Sequence, residues 1–198
     1  MKVVIIKYNA GNIRSVMFAL ERIGVHAVAT DNHDEIRSAD RVIFPGVGEA
    51  SSAMKYLAEK GLDQLICSLK QPVLGICLGM QLMCASSEEN NTVCLGIFSE
   101  KVKLFPATDG FKIPHIGWNN ITDLKTNLMK GVDENAYMYF VHSYYVEACE
   151  RAIAKTNYIQ TYSSALQKDN FYAVQFHPEK SGEAGQRILE NFINLTIE

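Results

Sequence analysis

Short, wholly apolar runs alternate with amphipathic stretches through the first part of the chain. Val3–Ile6 is the first such run and suits a strand buried on both faces. Residues 12–23 then place Val16, Leu20 and Ile23 on one helical face. Asn12 stands where an N-cap belongs and Gly24 where the helix should end. A second strand is expected over residues 25–29, and a short polar helix or turn over 31–38. Arg41–Phe44 reads as a third strand running into the turn Pro45-Gly46-Val47-Gly48. Ala53, Met54, Leu57 and Ala58 recur with helical period, and a second helical run covers residues 62–69. Val73, Leu74 and Ile76 make a fourth apolar run, followed by a helix to about residue 85. Strands alternating with helices predict an α/β fold with a central, mostly parallel sheet covered on both faces. Ligands of such sheets gather at the carboxyl ends of the strands.

The second half has a different rhythm. Residues 97–105 alternate apolar and polar, 137–146 are aromatic and rich in β-formers, and 151–158 and 171–176 read as further strands. A turn at Lys168-Asp169-Asn170 leads into the last of these. Mixed or antiparallel strands are expected here. Residues 182–195 form a closing amphipathic helix, with Ile188, Leu189, Phe192 and Leu195 inward. The polar stretch 86–92 reads as a surface loop. No repeat or linker interrupts the pattern, so one domain is expected over residues 1–198.

Composition narrows the picture. The 198 residues are 47% hydrophobic and 21% charged, with a formal net charge of -3, which gives no footing for nucleic acid or an acidic membrane surface. No apolar run nears the roughly 20 residues that cross a bilayer. The start, Met1-Lys2-Val3-Val4-Ile5-Ile6, is too short and strand-like for a signal peptide. The five cysteines, Cys67, Cys77, Cys84, Cys94 and Cys149, are odd in number and lack Cys-x-x-Cys spacing. A disulfide framework or zinc site is not expected, and a reducing cytoplasm is the natural compartment.

Three segments carry candidate chemistry. In Gly75-Ile76-Cys77-Leu78-Gly79 a cysteine sits at a strand-to-helix turn between two glycines. A nucleophile on such a turn needs small neighbours, and the following helix favours thiolate and a developing oxyanion. A buried core cysteine would fit the same segment. In Val174-Gln175-Phe176-His177-Pro178-Glu179, a strand delivers His177 and places Glu179 two residues beyond it. Cysteine, histidine and carboxylate are what thiol-based acyl transfer requires, although a surface histidine on a loop fits this segment too. His115 and His142 compete for the base role, while His26 and His33 look like surface residues. The turn Pro45-Gly46-Val47-Gly48 offers backbone N–H groups at the expected active edge. It lacks a dinucleotide or P-loop fingerprint, so an oxyanion hole is the better functional reading than nucleotide binding.

Together and in this order, the three segments resemble the class I (triad) glutamine amidotransferases over nearly the whole chain. The resemblance implies a flavodoxin-like fold and hydrolysis of L-glutamine to glutamate and ammonia. It implies Cys77 as nucleophile, His177 as base and acid, and Glu179 as its orienter. Backbone amides of Val47 or Gly48 and of Leu78 would hold the oxyanion, and Gly46, Gln81, His142, Ser143 and Tyr144 would bind glutamine. The segments Tyr8 to Ser15, Pro114-His115-Ile116-Gly117-Trp118-Asn119 and Tyr137 to Tyr144 are similar to the branch of glutaminase subunits that serve imidazole glycerol phosphate synthases. That implies a heterodimer with a (βα)₈-barrel cyclase subunit that receives the ammonia. Asn12, Trp118, Tyr139 and Lys180 would lie near the junction. No metal or cofactor is implied. One departure is that Asn9-Ala10 precede Gly11-Asn12 where the family often has Tyr-Gly-x-Gly-Asn. Trp118 alone would also fit a core. A glutaminase subunit of another synthase, of a surface-sugar or anthranilate type, and a non-catalytic regulatory subunit remain as alternatives.

Overall fold

The computed structural model describes residues 1–9 and 11–196; Ala10, in the Tyr8 to Ser15 segment, and the last two residues lie outside the described residues. Five strands form the parallel heart of the sheet in the order β2 (Ala27–Thr30), β1 (Val3–Ile6), β3 (Arg41–Phe44), β4 (Val73–Ile76) and β13 (Phe171–Val174). The apolar runs are continuous because both faces are covered. Val4, Ile6, Val42, Phe44 and Val73 point into one core, and Val3, Ile5, Ile43, Leu74 and Ile76 into the other.

Beyond β13 the sheet turns antiparallel. β12 (Gln160–Lys168) pairs with β13, β10 (Tyr144–Glu147) with β12, and β7 (Lys101–Leu104) with β10. β11 (Ala152–Tyr158) forms a hairpin with β12. The edge carries β5 (Ser86–Ser87) and β6 (Thr92–Val93), joined by a 3₁₀ turn at Glu89–Asn91. The polar stretch expected as a surface loop is therefore a short hairpin. Its backbone groups are met by β7, a distant partner that local polarity does not reveal. A separate ribbon pairs β8 (His115–Asn120) with β9 (Tyr137–His142). Neither β8 nor β12 stood out in the pattern, because β8 faces solvent on alternate residues and β12 is interrupted by polar side chains buried within the sheet.

The helices are α1 (Ile13–Arg22), α2 (His33–Arg37), α3 (Ala50–Glu59), α4 (Leu62–Ser68), α5 (Leu78–Met83) and α6 (Gly182–Ile193). Asn12 does not cap α1 with its side chain; its backbone is left-handed, with φ 74°, and the carboxamide is directed elsewhere. Arg41, buried at the start of β3, binds the Phe192 and Leu195 carbonyls and ties the end of α6 to the sheet. Among the described residues no helix is long and apolar enough to cross a membrane.

Candidate active site

Parallel strands β4 and β13 run side by side, with Ile76 opposite Val174, so Cys77 and the residues just past Val174 leave the sheet together. Cys77 still donates its N–H to the Val174 carbonyl at 2.8 Å. Its backbone then turns sharply, with φ 54° and ψ -108°, into α5. A non-glycine residue held there costs on the order of 1–3 kcal/mol, which the buried surroundings must offset. The flanking glycines permit the turn. A Cβ at Gly79 would lie 1.8 Å from the Phe44 carbonyl oxygen, and one at Gly75 would lie 2.8 Å from Met83 Sδ.

His177 is wholly buried and fixed by its own backbone. Its N–H donates to the Tyr139 carbonyl of β9 at 2.9 Å, and its carbonyl accepts from Ser181 Oγ at 2.6 Å. Nδ1 lies 2.7 Å from Glu179 Oε1, so the carboxylate holds the ring proton on Nδ1. The same oxygen accepts from Asn12 Nδ2. Nε2 is buried with no hydrogen-bond partner among the described residues. Burial works to lower the His177 pKa, but interactions with Cys77 and Glu179 outweigh it and raise the value to about 10.

Cys77 opens on a cavity of about 260 Å³ lined also by Val47, Gly48, Leu78, Gln81, Glu89, Pro114, Val141, His142, Ser143 and Tyr144. A larger hollow of about 490 Å³ beside α6 contains no cysteine or histidine. Most of the residues expected to bind glutamine thus share one wall. Gly46 does not line it. This glycine is buried behind the wall, where a Cβ would lie 2.2 Å from the Tyr8 hydroxyl, and Tyr8 Oη donates to the Pro45 carbonyl at 2.7 Å. The Gly46 carbonyl accepts the Leu78 N–H at 3.2 Å, so one of the expected oxyanion donors is engaged within the protein.

His142 also differs from expectation in the way it serves the wall. The ring is buried, with Nδ1 donating to the Tyr144 carbonyl at 2.7 Å and Nε2 accepting from Tyr162 Oη at 3.2 Å. Burial lowers its pKa to about 3, and that of His115 to about 4. Both are neutral near pH 7 and leave His177 as the base candidate. Gln81 donates through Nε2 to the same Tyr144 carbonyl at 3.1 Å and to Gln175 Oε1 at 3.0 Å.

Three residues of the site escaped the sequence pattern. Tyr8 lies on the first strand exit, inside the Tyr8 to Ser15 segment, but nothing in that segment pointed to its hydrogen bond with the Pro45 carbonyl. Glu89 belongs to the polar edge hairpin, where its half-buried carboxylate caps the Ala50 N–H at 2.7 Å. Gln175 directly precedes Phe176 and His177, and that position was the one available signal. Away from the cavity, β8 and β9 display Ile116, Trp118 and Tyr137 at 55% exposure or more. Trp118 is not a core residue. It meets Tyr139 edge-on at 6.0 Å, and Lys180 Nζ lies 5.7 Å from the Tyr139 ring centre.

The sheet order, the strained cysteine and the buried histidine–carboxylate pair define the class. The chain belongs to the class I glutamine amidotransferases: the family model "Glutamine amidotransferase class-I" matches residues 4–195. Within that family it is similar to the "Imidazole glycerol phosphate synthase subunit HisH" of Bacteroides fragilis, at 60% identity, and of Bacteroides thetaiotaomicron, at 56%. Each match covers 98% of this chain and 100% of the relative. Solved structures share the fold. A glutamine amidotransferase superposes with a TM-score of 0.75 at 16% identity, covering 98% of this chain and 97% of that one. PurLQS from Thermotoga maritima superposes with a TM-score of 0.71 at 15% identity, covering 98% and 97%.

Proposed function

We propose that this chain is the glutaminase subunit of an imidazole glycerol phosphate synthase and that Cys77, His177 and Glu179 are its catalytic triad. The observation that carries the triad is the buried His177–Glu179 pair, whose unpartnered Nε2 is left for the thiol chemistry at Cys77. Full-length identity of 60% supports the choice of this synthase over an anthranilate-type one.

In this reading the Cys77 thiolate attacks the side-chain amide carbon of glutamine, forming the S–C bond. His177 gives its Nε2 proton to the nitrogen as the C–N bond breaks, and ammonia leaves. Water then loses a proton to His177 and attacks the thioester, and glutamate departs from the restored thiolate. The carboxylate of Glu89 suits the substrate ammonium, and Gln81, Ser143 and Tyr144 suit its carboxylate and amide. The oxyanion takes the Leu78 N–H together with Val47 or Gly48, once the Gly46 carbonyl withdraws. A resting chain with that donor engaged is a slow glutaminase.

Free ammonia would be protonated and lost in water, so the reading includes a sealed junction with a (βα)₈-barrel cyclase subunit. The exposed Ile116, Trp118 and Tyr137, with Tyr139, Lys180 and the neighbouring Asn12, support that surface. The chain is read as one amidotransferase unit working in the cytoplasm, where its five free cysteines stay reduced. Cys77→Ala is expected to lower glutamine-dependent synthesis by about 10⁴-fold or more while ammonia-dependent synthesis persists. Glutamine turnover that survives the substitution would remove Cys77 from the nucleophile role.

A further inference from the structure

Gln175 is wholly buried between Cys77 and Gln81, and nothing in the triad chemistry accounts for it. Its Nε2 lies 3.7 Å from Cys77 Sγ, and its Oε1 accepts from Gln81 Nε2 at 3.0 Å. The second Gln81 N–H is committed to the Tyr144 carbonyl at 3.1 Å. A carboxamide has one donor end and one acceptor end. Because Gln81 supplies a donor, the Gln175 oxygen must face Gln81 and its NH₂ must face the sulfur. The Tyr144 carbonyl is itself held by His142 Nδ1. Direction is therefore fixed along the whole series, from the cavity wall to the thiol.

We propose that Gln175 donates an N–H to the Cys77 thiolate during the reaction, and that Gln81 is a positioning residue that sets the direction of this donor. The proposal rests on Cys77 being the nucleophile. A hydrogen bond to the charged form of an acid favours that form, and a thiolate is a stronger acceptor than a thiol. Gln81 would then serve twice: it belongs to the wall that receives glutamine, and it aims the group that steadies the sulfur. A disturbance of the Tyr144 wall would reach the nucleophile through two amides.

Other titratable groups surround the sulfur at different removes. His177, beyond β13, and Tyr8, beyond β1, interact with Cys77 directly, Glu179 holds the far side of the His177 ring, and His142, at the end of β9, and Glu89, from the edge hairpin, line the same cavity. The Val141 carbonyl lies 3.9 Å from Sγ as an acceptor for the thiol proton. Replacing neutral Gln175 leaves all of these in place, so its effect isolates the amide donor.

The test is the pH profile of Cys77 alkylation by iodoacetamide in the full-length protein, resolved by peptide mass spectrometry from pH 5 to 9. Gln175→Leu is expected to move the half-maximal pH up by about one unit, near a tenfold loss of reactivity on the acid side. Gln81→Leu is expected to move it in the same direction without touching the sulfur. Gln175→Glu, which sets a carboxylate against the thiolate, moves it further. A purely structural role would lower yield or melting temperature and leave the profile of the surviving fold unmoved. Superposable profiles for wild type and Gln175→Leu overturn the proposal; should the leucine variant not fold, Gln175→Met is read in the same way. Failure of a glutamine-analogue electrophile to label wild-type Cys77 would instead strike at the nucleophile assignment itself.

Discussion

At the scale of single residues, the site depends on atoms that are absent as much as on those present. Gly79 is the sharpest case. A methyl group there would be driven into the Phe44 carbonyl oxygen, a backbone atom in a central strand that cannot step aside. Gly79→Ala is expected to destabilise the fold by about 3 kcal/mol or more, at or beyond the upper end for overpacked cores. Chemical denaturation measures it, and a loss under about 1 kcal/mol would show that strand and helix can part cheaply. The need for small residues around Cys77 was legible in the spacing Gly-x-Cys-x-Gly. The reason was not, because Phe44 lies far away in the sequence and meets Gly79 only when β3 and β4 pair. Asn12 makes the same point. It carries a capping side chain at a helix start, yet Glu179 competes for that carboxamide and wins.

At the scale of elements, the β8–β9 ribbon stands apart from the main sheet and divides its residues by face. His115, Met138 and Phe140 go inward, while Ile116, Trp118 and Tyr137 face outward. The inward face joins the aromatic core, with His115 stacked 3.8 Å from Tyr158. The outward face is too apolar to be explained by the fold alone. Trp118→Ala removes a side chain that is 55% exposed and is expected to change stability by no more than about 0.5 kcal/mol. Its effect on association with the proposed cyclase subunit is expected to be about 2 kcal/mol or more, roughly 30-fold in Kd. Calorimetric titration alongside thermal unfolding separates the two, and an equal loss in both would return Trp118 to a structural role. Element type was readable wherever apolar runs were buried on both faces, as in β1, β3 and β4. It was not readable in β5, β6 and β12, where polar residues break the apolar run and the backbone pairs with strands distant in sequence.

At the scale of the whole molecule, the two buried neutral histidines couple the fold to pH. In the unfolded chain each titrates near 6.5, whereas in the fold His115 is lowered to about 4 and His142 to about 3. Between pH 6.5 and 4 the unfolded state therefore binds more protons than the native state, and stability falls as pH falls. The slope approaches about 1.4 kcal/mol per pH unit for each histidine. His177 does not mask this. Its raised pKa gives stability that is fully present below pH 6.5 and is lost only as pH climbs toward 10. Urea midpoints at pH 7.0, 5.5 and 4.5 are expected to fall steadily for wild type and about half as steeply for His115→Phe; parallel slopes would show that His115 is not held neutral by burial. The sequence by itself determined the first four strands of the parallel heart of the sheet and singled out Cys77, His177 and Glu179 as candidates. These follow from local period, composition and short motifs, all of which are properties of neighbouring residues. Only the tertiary structure decided that Leu78 is engaged by Gly46, that His142 braces Tyr144 through a neutral ring, and that Gln175 faces the sulfur. Each of those depends on which partner reaches a polar group first when distant strands come together, and burial then makes the choice costly to reverse.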